Sequence, residues 1–411
     1  MSEPRPLGIF DQDKLAACVQ CGFCLSSCPT YEVTHLEEHG PRGRILAMRL
    51  ADEGELPLTD PDLAASLTTC VQCRACEAVC PSLVEFGTLM ETARAELAER
   101  TPPRGLRRVA HAVGFRVLSR RALVRVASVG LALLQLLRLD RVLPGRLRPA
   151  RRVHLRDALR SYRVPARAGA LGRTAAGGAD RGDAFVFLGC VMDGMFRDVH
   201  QATIDVLAAV GYRPRLEPAP PCCGALSIHS GRESEAQRLA HATIAAYAGT
   251  SGPIVVDSAG CGAAMKEYGD WFETPEARAF SARVVDLSEV VRPDEVAARG
   301  RPVPLTLAYQ APCHLRNVQG LADQVRTLVG AIPGLTLLEP DDEQRCCGSG
   351  GIYSMEQPDF GDALLTSKHA ALQRTGADGV VSGNPGCAMQ IARTGWQVHH
   401  PAQLLARSLR P

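Results

Sequence analysis

Two cysteine runs with the same spacing lie in the first eighty residues of the chain. Each follows the pattern C-x-x-C-x-x-C-x-x-x-C-P, the run that ligates a 4Fe–4S cube. In two-cluster ferredoxins the fourth cysteine of each run ligates the other cube. The spacing therefore predicts two 4Fe–4S clusters, the first held by Cys18, Cys21, Cys24 and Cys80 and the second by Cys28, Cys70, Cys73 and Cys76.

Disulfides and structural zinc are the other uses of so many thiols. Zinc sites pair two short C-x-x-C hooks across a spacer and do not use a four-cysteine run. The chain has 16 cysteines, and its first residues contain no apolar stretch typical of a secretory signal. Both features favour a reducing compartment, where disulfides are rare, so we expect the protein in the cytoplasm.

The segments around the two runs have helical patterns. Asp60-Pro61 is typical of a capped helix start, and Leu89, Ala93 and Leu97 fall on one helical face. We therefore expect a mainly helical two-cluster ferredoxin module. Arg42 and Arg44 have two interpretations: they offset the negative charge of a reduced cluster, or they begin a helix whose inner face is Ile45, Leu46 and Leu50.

Length and composition are those of a globular protein of several domains, with 411 residues, 46% hydrophobic and 22% charged. Charge is unevenly placed, because residues 104–173 carry 18 arginines against only Asp140 and Asp157. Within this segment, residues 122–139 form a largely apolar stretch interrupted by Arg125 and Arg138. We favour a helix on the protein surface or against a partner over a membrane span. An arginine-rich solvated connector and peripheral binding to anionic lipid stay open, whereas nucleic-acid binding is not expected because few aromatic residues are interleaved.

Beyond residue 180 short β-branched runs alternate with alanine-rich periodic segments. The runs predict buried strands at 184–188, 254–256, 305–309 and 379–382, and segments such as 234–248 and 361–373 predict helices. This alternation is typical of an α/β domain with parallel sheets. A cysteine follows each of these strands, so the thiols are expected at one sheet edge.

The same region is an internal duplication. One set of four thiols recurs about 124 residues later, each set containing a Cys-Cys-Gly motif: Cys190, Cys222, Cys223 and Cys261, then Cys313, Cys346, Cys347 and Cys387. We favour further iron–sulfur ligation by at least one set, because a glycine lets the backbone approach a cluster closely. A thiol or disulfide role and simple packing are the alternatives.

These motifs resemble those of heterodisulfide reductase and related oxidoreductase subunits, whose full repeat ends in C-x-x-C. Here Ser258 and Asn384 replace the first cysteine of that pair, so the resemblance does not extend to a five-cysteine cluster. The chain is most similar to the iron–sulfur subunit of glycolate oxidase. The shared segments are Cys21-Gly-Phe-Cys24, the six residues 40–45, Cys222-Cys-Gly-Ala225, Gly260-Cys-Gly-Ala263, Lys266-Glu-Tyr-Gly269 and Cys346-Cys-Gly-Ser349.

The resemblance implies an electron-transfer subunit that accepts electrons from FAD-binding partner subunits, which oxidise glycolate to glyoxylate, and relays them toward a membrane acceptor. Neither FAD nor NAD is expected on this chain, because the dinucleotide fingerprint is not found. No residue here is expected to act on glycolate. A heterodisulfide-reductase-like or lactate-utilisation subunit is the alternative, and a structural or iron-sensing protein is a third. The inner face of the cytoplasmic membrane is the alternative location.

Four parts are expected along the chain: a ferredoxin domain over 1–100, a helical connector over 101–180, and α/β repeats over 181–300 and 301–411. His229 and His314 lie near cysteines, so each is a candidate iron ligand or hydrogen-bond donor to sulfur, although an ordinary local contact is the simpler interpretation. His399 and His400 are expected at the surface or at a strand end.

Overall fold

The computed structural model describes residues 8–136, 181–220, 222–341 and 343–409. The chain divides into two compact units. The first contains the described residues up to 111 together with 225–236 and 344–368. The second contains the described residues of 112–224, 237–343 and 369–409.

The first unit is helical in its N-terminal part, as the sequence predicts. Its helices are α1 Gln12–Ala16, α2 Pro29–Thr34, α3 Pro41–Glu53, α4 Pro61–Thr69, α5 Ala75–Ala78 and α6 Phe86–Arg100, with a 3-10 turn at Glu37–His39. Asp60 caps α4 by accepting hydrogen bonds from the backbone N–H groups of Asp62 and Leu63. Leu89, Ala93 and Leu97 form the buried face of α6.

Helix α3 turns a different face inward from the one expected. Ile45 is buried, but Leu46 is 45% exposed, and the core positions are Met48 and Ala51. The residues Arg44, Ile45, Met48, Ala51 and Asp52 lie within an arc of about 120° centred near Met48, because successive helical residues are about 100° apart, and Leu46 lies on the opposite side. The predicted inner face was therefore right for Ile45 and wrong for Leu46, while Leu50 is half-buried.

The α/β region has two sheets, each of four parallel strands, which confirms the predicted fold class. The first sheet has the order β2-β1-β3-β4 and the second β6-β5-β7-β8. The strands are β1 Asp183–Val186, β2 Arg213–Arg215, β3 Ile254–Val255, β4 Val284–Val285, β5 Leu305–Tyr309, β6 Leu335–Leu338, β7 Gly379–Val381 and β8 Val398–His399. Each sheet reverses its direction of winding between two central strands, β1 and β3 or β5 and β7.

Helices connect these strands, and both sheets belong to one hydrophobic core in the second unit. The two helices Arg197–Ala209 and Pro401–Leu409, one from each half, pack against each other. The helices of the α/β region are Val191–Met195, Arg197–Ala209, Ala225–His229, Glu233–Ala246, Ala259–Lys266, Tyr268–Phe272, Pro275–Ser281, Leu287–Val290, Pro293–Arg299, Ala322–Gly330, Tyr353–Glu356, Pro358–Arg374, Pro385–Ala392 and Pro401–Leu409, with a π-helix at His314–Val318.

The arginine-rich segment is described as far as residue 136. It forms α7 Gly105–Leu118 and α8 Arg121–Leu136; the last residues of the predicted 122–139 helix, like the rest of the connector to 180, lie outside the described residues. Arg125 of α8 forms an ion pair with the buried Asp193, while Val126 is 70% exposed. Over the residues searched, no helix combines the length and the hydropathy of a bilayer span. The four-part division of the chain stays a prediction.

Candidate functional site

The first predicted cysteine set lines one cavity of the ferredoxin module. Cys18, Cys21, Cys24 and Cys80 all face it, and Cys76 contributes to its wall. Its apolar side is formed by Ile45, Val84 and Phe86. Cys21 is exposed. Burial raises the pKa of Cys24 to about 11, with the nearby thiol of Cys18 acting in the same direction.

The second predicted set is enclosed by protein. Cys28, Cys70, Cys73 and Cys76 are all buried. Burial raises the pKa of Cys76, and the thiols of Cys73, Cys70 and Cys28 add to that shift by their proximity. The structure thus brings together the four cysteines assigned to the second cube, including the one from the first run.

The loops of both runs fit a cube better than a single ion. Gln20 and Gln72 occupy the same position in the two runs, and both have a left-handed backbone with φ of 58° and 54°. Such conformations are uncommon outside glycine and here curl the chain around the thiols. Gln72 N donates to Cys70 Sγ at 3.4 Å, the type of contact that tunes cluster potentials. Within the described residues, no three Cys, His, Asp or Glu side chains are arranged to hold one metal ion.

Charged groups differ between the two sets. Arg42 begins α3 and forms an ion pair with Glu37, while it also donates to Gln20 O at 3.1 Å. Arg44 is buried and donates to Thr30 Oγ1, Thr69 Oγ1 and Ser66 O. Arg42 and Arg44 lie in the first turn of α3, as one interpretation predicted, and both lie beside cysteine loops, whereas their effect on the charge of a reduced cluster stays a prediction.

The four thiols of the first Cys-Cys-Gly repeat form one connected group. Cys190 Sγ and Cys222 Sγ are 3.6 Å apart. The hydrogen bond to Cys222, together with burial, raises the pKa of Cys190. Hydrogen bonds to Cys222 and Cys261, together with burial, raise the pKa of Cys223. Cys222 accepts from both neighbours and from Gly224 N, which lowers its pKa well below the usual range.

The second repeat keeps the same turn around its first cysteine. Gly348 N donates to Cys346 Sγ at 3.3 Å, as Gly224 N does to Cys222 Sγ at 3.4 Å. Cys346 and Cys347 belong to the first unit, and Cys313 and Cys387 belong to the second. The four thiols of the second repeat are therefore divided between the two units, two in each.

The residues that replace cysteine are at matching positions at the starts of two helices. Ser258 and Asn384 are the N-cap residues of Ala259–Lys266 and Pro385–Ala392. Asn384 Nδ2 donates to Cys387 Sγ at 3.6 Å, and its Oδ1 accepts from Gly260 N of the other repeat at 3.2 Å. An amide in place of a thiol thus supports a neighbouring cysteine and joins the loops of the two repeats.

These loops lie where α/β sheets usually bind ligands. Cys190 and Cys313 follow β1 and β5, and Cys261 and Cys387 follow β3 and β7. Those strand pairs are the places where each sheet reverses its winding. Crevices at the carboxyl ends of strands at such a switch point are the common binding sites of open parallel sheets.

The histidines have local contacts. His229 Nδ1 lies 3.0 Å from Gln72 Oε1, and its carbonyl accepts from Gln72 Nε2. His314 begins the π-helix after Cys313. His399 ends β8. His400 Nε2 donates to Asp257 O at 2.9 Å, and burial lowers the pKa of His400 to about 4.

A buried histidine–aspartate pair next to the first repeat was missed from the sequence. His200 Nδ1 lies 2.7 Å from Asp257 Oδ2, and His200 Nε2 donates to Leu188 O at 2.9 Å. Leu188 precedes Cys190 by two residues, and Asp257 adjoins Ser258. Burial alone would lower the pKa of His200, but the carboxylate raises it above its ordinary value. The sequence contains little indication of this pair, because 57 residues separate His200 from Asp257.

Helix α8 covers the thiols of the first repeat, which the sequence also did not indicate. Val124 packs with Cys190, Cys222 and Leu239 in a small buried cluster. The close contact needs Gly194, where an added Cβ would lie 2.4 Å from Val124 Cγ1. The arginine-rich segment therefore contributes one wall of a cysteine site.

Two family models match the chain. A 4Fe–4S dicluster domain matches residues 14–84, which confirms the two predicted 4Fe–4S clusters. A cysteine-rich domain matches residues 184–266 and again 307–392, the two Cys-Cys-Gly repeats.

Several curated proteins are similar to this chain. The probable glycolate oxidase iron-sulfur subunit of Bacillus subtilis is 36% identical over 410 residues, covering 93% of this chain and 89% of the relative. The glycolate oxidase iron-sulfur subunit of Escherichia coli is 31% identical over 415 residues, covering 96% and 94%. Lactate utilization protein A of Exiguobacterium is 26% identical over 227 residues, or 54% of this chain. Because the first two matches extend over nearly the whole of both chains, the protein belongs to the family of glycolate oxidase iron–sulfur subunits.

Proposed function

We propose that this chain is the electron-transfer subunit of a glycolate dehydrogenase complex. It accepts electrons from FAD-binding partner subunits that oxidise glycolate to glyoxylate and passes them toward a membrane acceptor. The observation that carries the proposal is the pairing of two cysteine sets in one small helical module, one opening to the surface and one enclosed. A relay needs this arrangement, because one centre must meet a partner while another passes the electron inward.

In this proposal Cys18, Cys21, Cys24 and Cys80 hold the first 4Fe–4S cube, and Cys28, Cys70, Cys73 and Cys76 hold the second. Bound cubes supply one-electron chemistry whose potential depends on net charge, burial and hydrogen bonds to sulfur. The chain's own residues fix that environment. The thiol sets of the two Cys-Cys-Gly repeats are proposed ligands of one or two additional clusters, and the connected thiols of Cys190, Cys222, Cys223 and Cys261 favour the first repeat.

The substrate chemistry belongs to partner subunits. The names of the two long relatives support glycolate, and the shorter match to lactate utilization protein A supports the alternative only over half the chain. We place the protein in the cytoplasm and at the inner face of the membrane, where a basic segment such as 104–173 would favour anionic lipid.

Anaerobic purification of the tagged chain from its native cell, followed by mass spectrometry, tests the partnership. We expect two FAD-binding subunits to copurify, and we expect glycolate to reduce the clusters of the recovered complex as followed by EPR. Chain purified without partners is the control, and glycolate must leave its clusters oxidised. Reduction by lactate and not by glycolate would favour the alternative, and repeated recovery without a flavoprotein would contradict the proposal.

A further inference from the structure

We infer that the second cysteine set holds the higher-potential cube, so that electrons arrive at the first set and leave through the second toward the Cys-Cys-Gly repeats. This inference rests on the proposed relay function and adds its direction. Two independent features of the first unit support it. The first is the placement of Arg44 and Arg94, and the second is the position at which one segment from each repeat contacts the ferredoxin module.

Two guanidinium groups flank the start of the second cysteine run, that of Arg44 buried and that of Arg94 half-buried. Arg44 donates to Thr69 Oγ1 at 3.2 Å and to Ser66 O at 2.9 Å. Arg94 donates to Cys70 O at 2.5 Å and to Leu67 O at 3.1 Å. The hydrogen-bond acceptors of both arginines are carbonyl and hydroxyl oxygens. Arginine keeps its charge when buried, so two positive charges lie beside this set without a hydrogen-bonded carboxylate.

The arginine beside the first set is different. Arg42 donates from Nε to Glu37 Oε2 at 2.8 Å, and a second hydrogen bond joins Nη2 to Oε1. This bidentate pair cancels most of the charge of Arg42. Arg74, near the second set, is likewise paired with Glu77 at 2.7 Å. Among the described arginines beside the two cysteine sets, the charges not paired with a hydrogen-bonded carboxylate are therefore those of Arg44 and Arg94, and the nearby charge of Glu356 acts on Arg94 without a hydrogen bond.

Positive charge stabilises a cube in its reduced form, which carries one more negative charge, and so raises its potential. Burial acts in the opposite direction, because desolvation disfavours the more negative state. Here Arg44 is only 1% exposed, while Arg94 is half-buried, so water screens the charge of Arg44 little and that of Arg94 in part. We expect the charge effect to exceed the desolvation effect.

The segments that follow both Cys-Cys-Gly motifs contact this same place. From the first repeat, His229 O accepts from Gln72 Nε2 at 2.7 Å and from Arg94 Nη1 at 2.6 Å. From the second repeat, Tyr353 donates its hydroxyl to Thr69 O at 2.9 Å. Residues 69–72 open the second cysteine run, so one segment from each repeat contacts the chain beside the second set.

Tyr353 lies between a thiol of the ferredoxin module and a thiol of the second repeat. Its ring is buried, and burial together with the thiols of Cys70 and Cys346 raises its pKa. Tyr353 therefore lies near one thiol of the ferredoxin module and one thiol of the second repeat. With both cubes bound, each transfer step would move one electron from the cube of the first set to the cube of the second, with no bond made and no proton moved.

An anaerobic potentiometric titration of the full chain with its clusters, followed by EPR, tests the inference. Cys21→Ser and Cys73→Ser variants assign the two signals to their sets. In the wild type we expect the second set to be reduced first, with an equilibrium favouring it at least tenfold, which corresponds to about 59 mV for a one-electron couple. The opposite order of reduction would overturn the inference.

Substitution of Arg94 tests whether its positive charge causes the difference in potential between the two cubes. Arg94→Gln should remove about tenfold of this preference, and Arg94→Lys, which keeps the charge, should retain most of it. Arg49→Gln is the matched control, because Arg49 also donates to a carbonyl, Leu15 O at 2.8 Å, on the same module. If the second cube had the same midpoint potential in Arg94→Gln as in Arg49→Gln, the charge argument would be contradicted. If Arg94→Gln lost its clusters, the order of reduction in the wild type and the midpoint potential in Arg94→Lys would decide the inference. No flavin partner is needed, so this result is independent of the partnership test.

Discussion

Arg42 and Arg44 show how two residues of one type, two positions apart, come to have different effects. Arg42 lies at the surface of the first turn of α3, where Glu37 pairs with it. Arg44 points inward and is only 1% exposed, with three oxygen acceptors on α2 and α4. A guanidinium that is paired in water adds little field at a cluster, whereas one buried without a carboxylate adds much more.

His200 is the residue whose removal should cost the α/β region most. A buried ion pair broken on one side leaves an uncompensated charge, so His200→Gln should lower the free energy of unfolding by about 3–5 kcal/mol. Anaerobic urea unfolding measures this cost. His241→Gln is the control, because His241 is exposed and stacked on Phe272, and its substitution should change stability by less than about 0.5 kcal/mol.

The cost of His200→Gln should also depend on pH. The pKa of His200 is raised in the fold, so its contribution is complete below the unfolded value of about 6.5 and is lost as pH rises through the folded value. The pKa of Asp257 is lowered, so its contribution is lost only as pH falls below about 3.9. The difference between wild type and variant should therefore be greatest between about pH 4 and 6.5 and decline above that. A difference that grows toward alkaline pH would contradict the ion-pair interpretation.

At the scale of elements, substitution of the glycine after a cysteine pair tests whether the turn at that pair requires glycine. Gly348 has φ of 75°, and an added Cβ would lie 2.5 Å from Gly361 O. Gly376 has φ of 69° with no atom within 4 Å of such a Cβ. Gly376→Ala should cost about 1–2 kcal/mol from the backbone conformation alone, and Gly348→Ala should cost more because the backbone must move.

The measurement is the free energy of unfolding of the two variants, together with the rate at which Cys346 reacts with a thiol reagent. Gly348→Ala should accelerate that reaction, because moving the turn exposes the thiol of Cys346, which is otherwise buried. Equal costs for both alanine variants would show that the close approach to Gly361 does not constrain the turn.

Helix α8 gives a second prediction at this scale. Gly194→Ala should push Val124 away and loosen the helix, so that trypsin cleaves after Arg125 faster and the thiol of Cys222 becomes reactive. Gly130→Ala, within α8 with no atom within 4 Å of the added Cβ, is the control and should slow cleavage, since alanine favours helix by about 1 kcal/mol. Cleavage at the same rate in both variants would contradict the packing of α8 on the thiols.

Helices and strands could be predicted from the sequence where the residues that determine them are close together along the chain. The strand at 305–309 matches its prediction, and the helix start at Asp60-Pro61 rests on one capping side chain. The error at Leu46 of α3 came from choosing an apolar residue by type, whereas the arc of the helix that contains Ile45, Met48 and Ala51 decides which side is buried. The pairing of His200 with Asp257 and the cover of α8 over Cys190 depend on contacts between distant segments, which no local pattern carries.

At the scale of the whole molecule, the duplicated α/β region and the ferredoxin module are linked through chain segments as well as function. Residues 225–236 follow the first Cys-Cys-Gly motif, residues 344–368 include the second, and both segments belong to the same compact unit as the cysteine runs. His229 and Tyr353 are on these segments, and both contact residues 69–72. Each repeat thus contributes a segment to the unit that holds the second cysteine set, and the second repeat also contributes Cys346 and Cys347.

The direction of the relay predicts unequal effects of losing one cluster or the other. Cys21→Ser, at the exposed set, should prevent reduction of the second set by the flavin partners, so no cluster signal of that set appears on adding glycolate. Cys73→Ser should leave the first set reducible while transfer to the acceptor stops. In both variants reduction of flavin by glycolate should continue, since no residue of this chain acts on substrate in our proposal. EPR of freeze-quenched samples distinguishes the two variants, and iron content and the surviving cluster signal control for loss of the fold. If Cys21→Ser still permits rapid reduction of the second set, electrons reach it without passing the first, and the order argued from Arg44, Arg94 and the two attached segments is wrong.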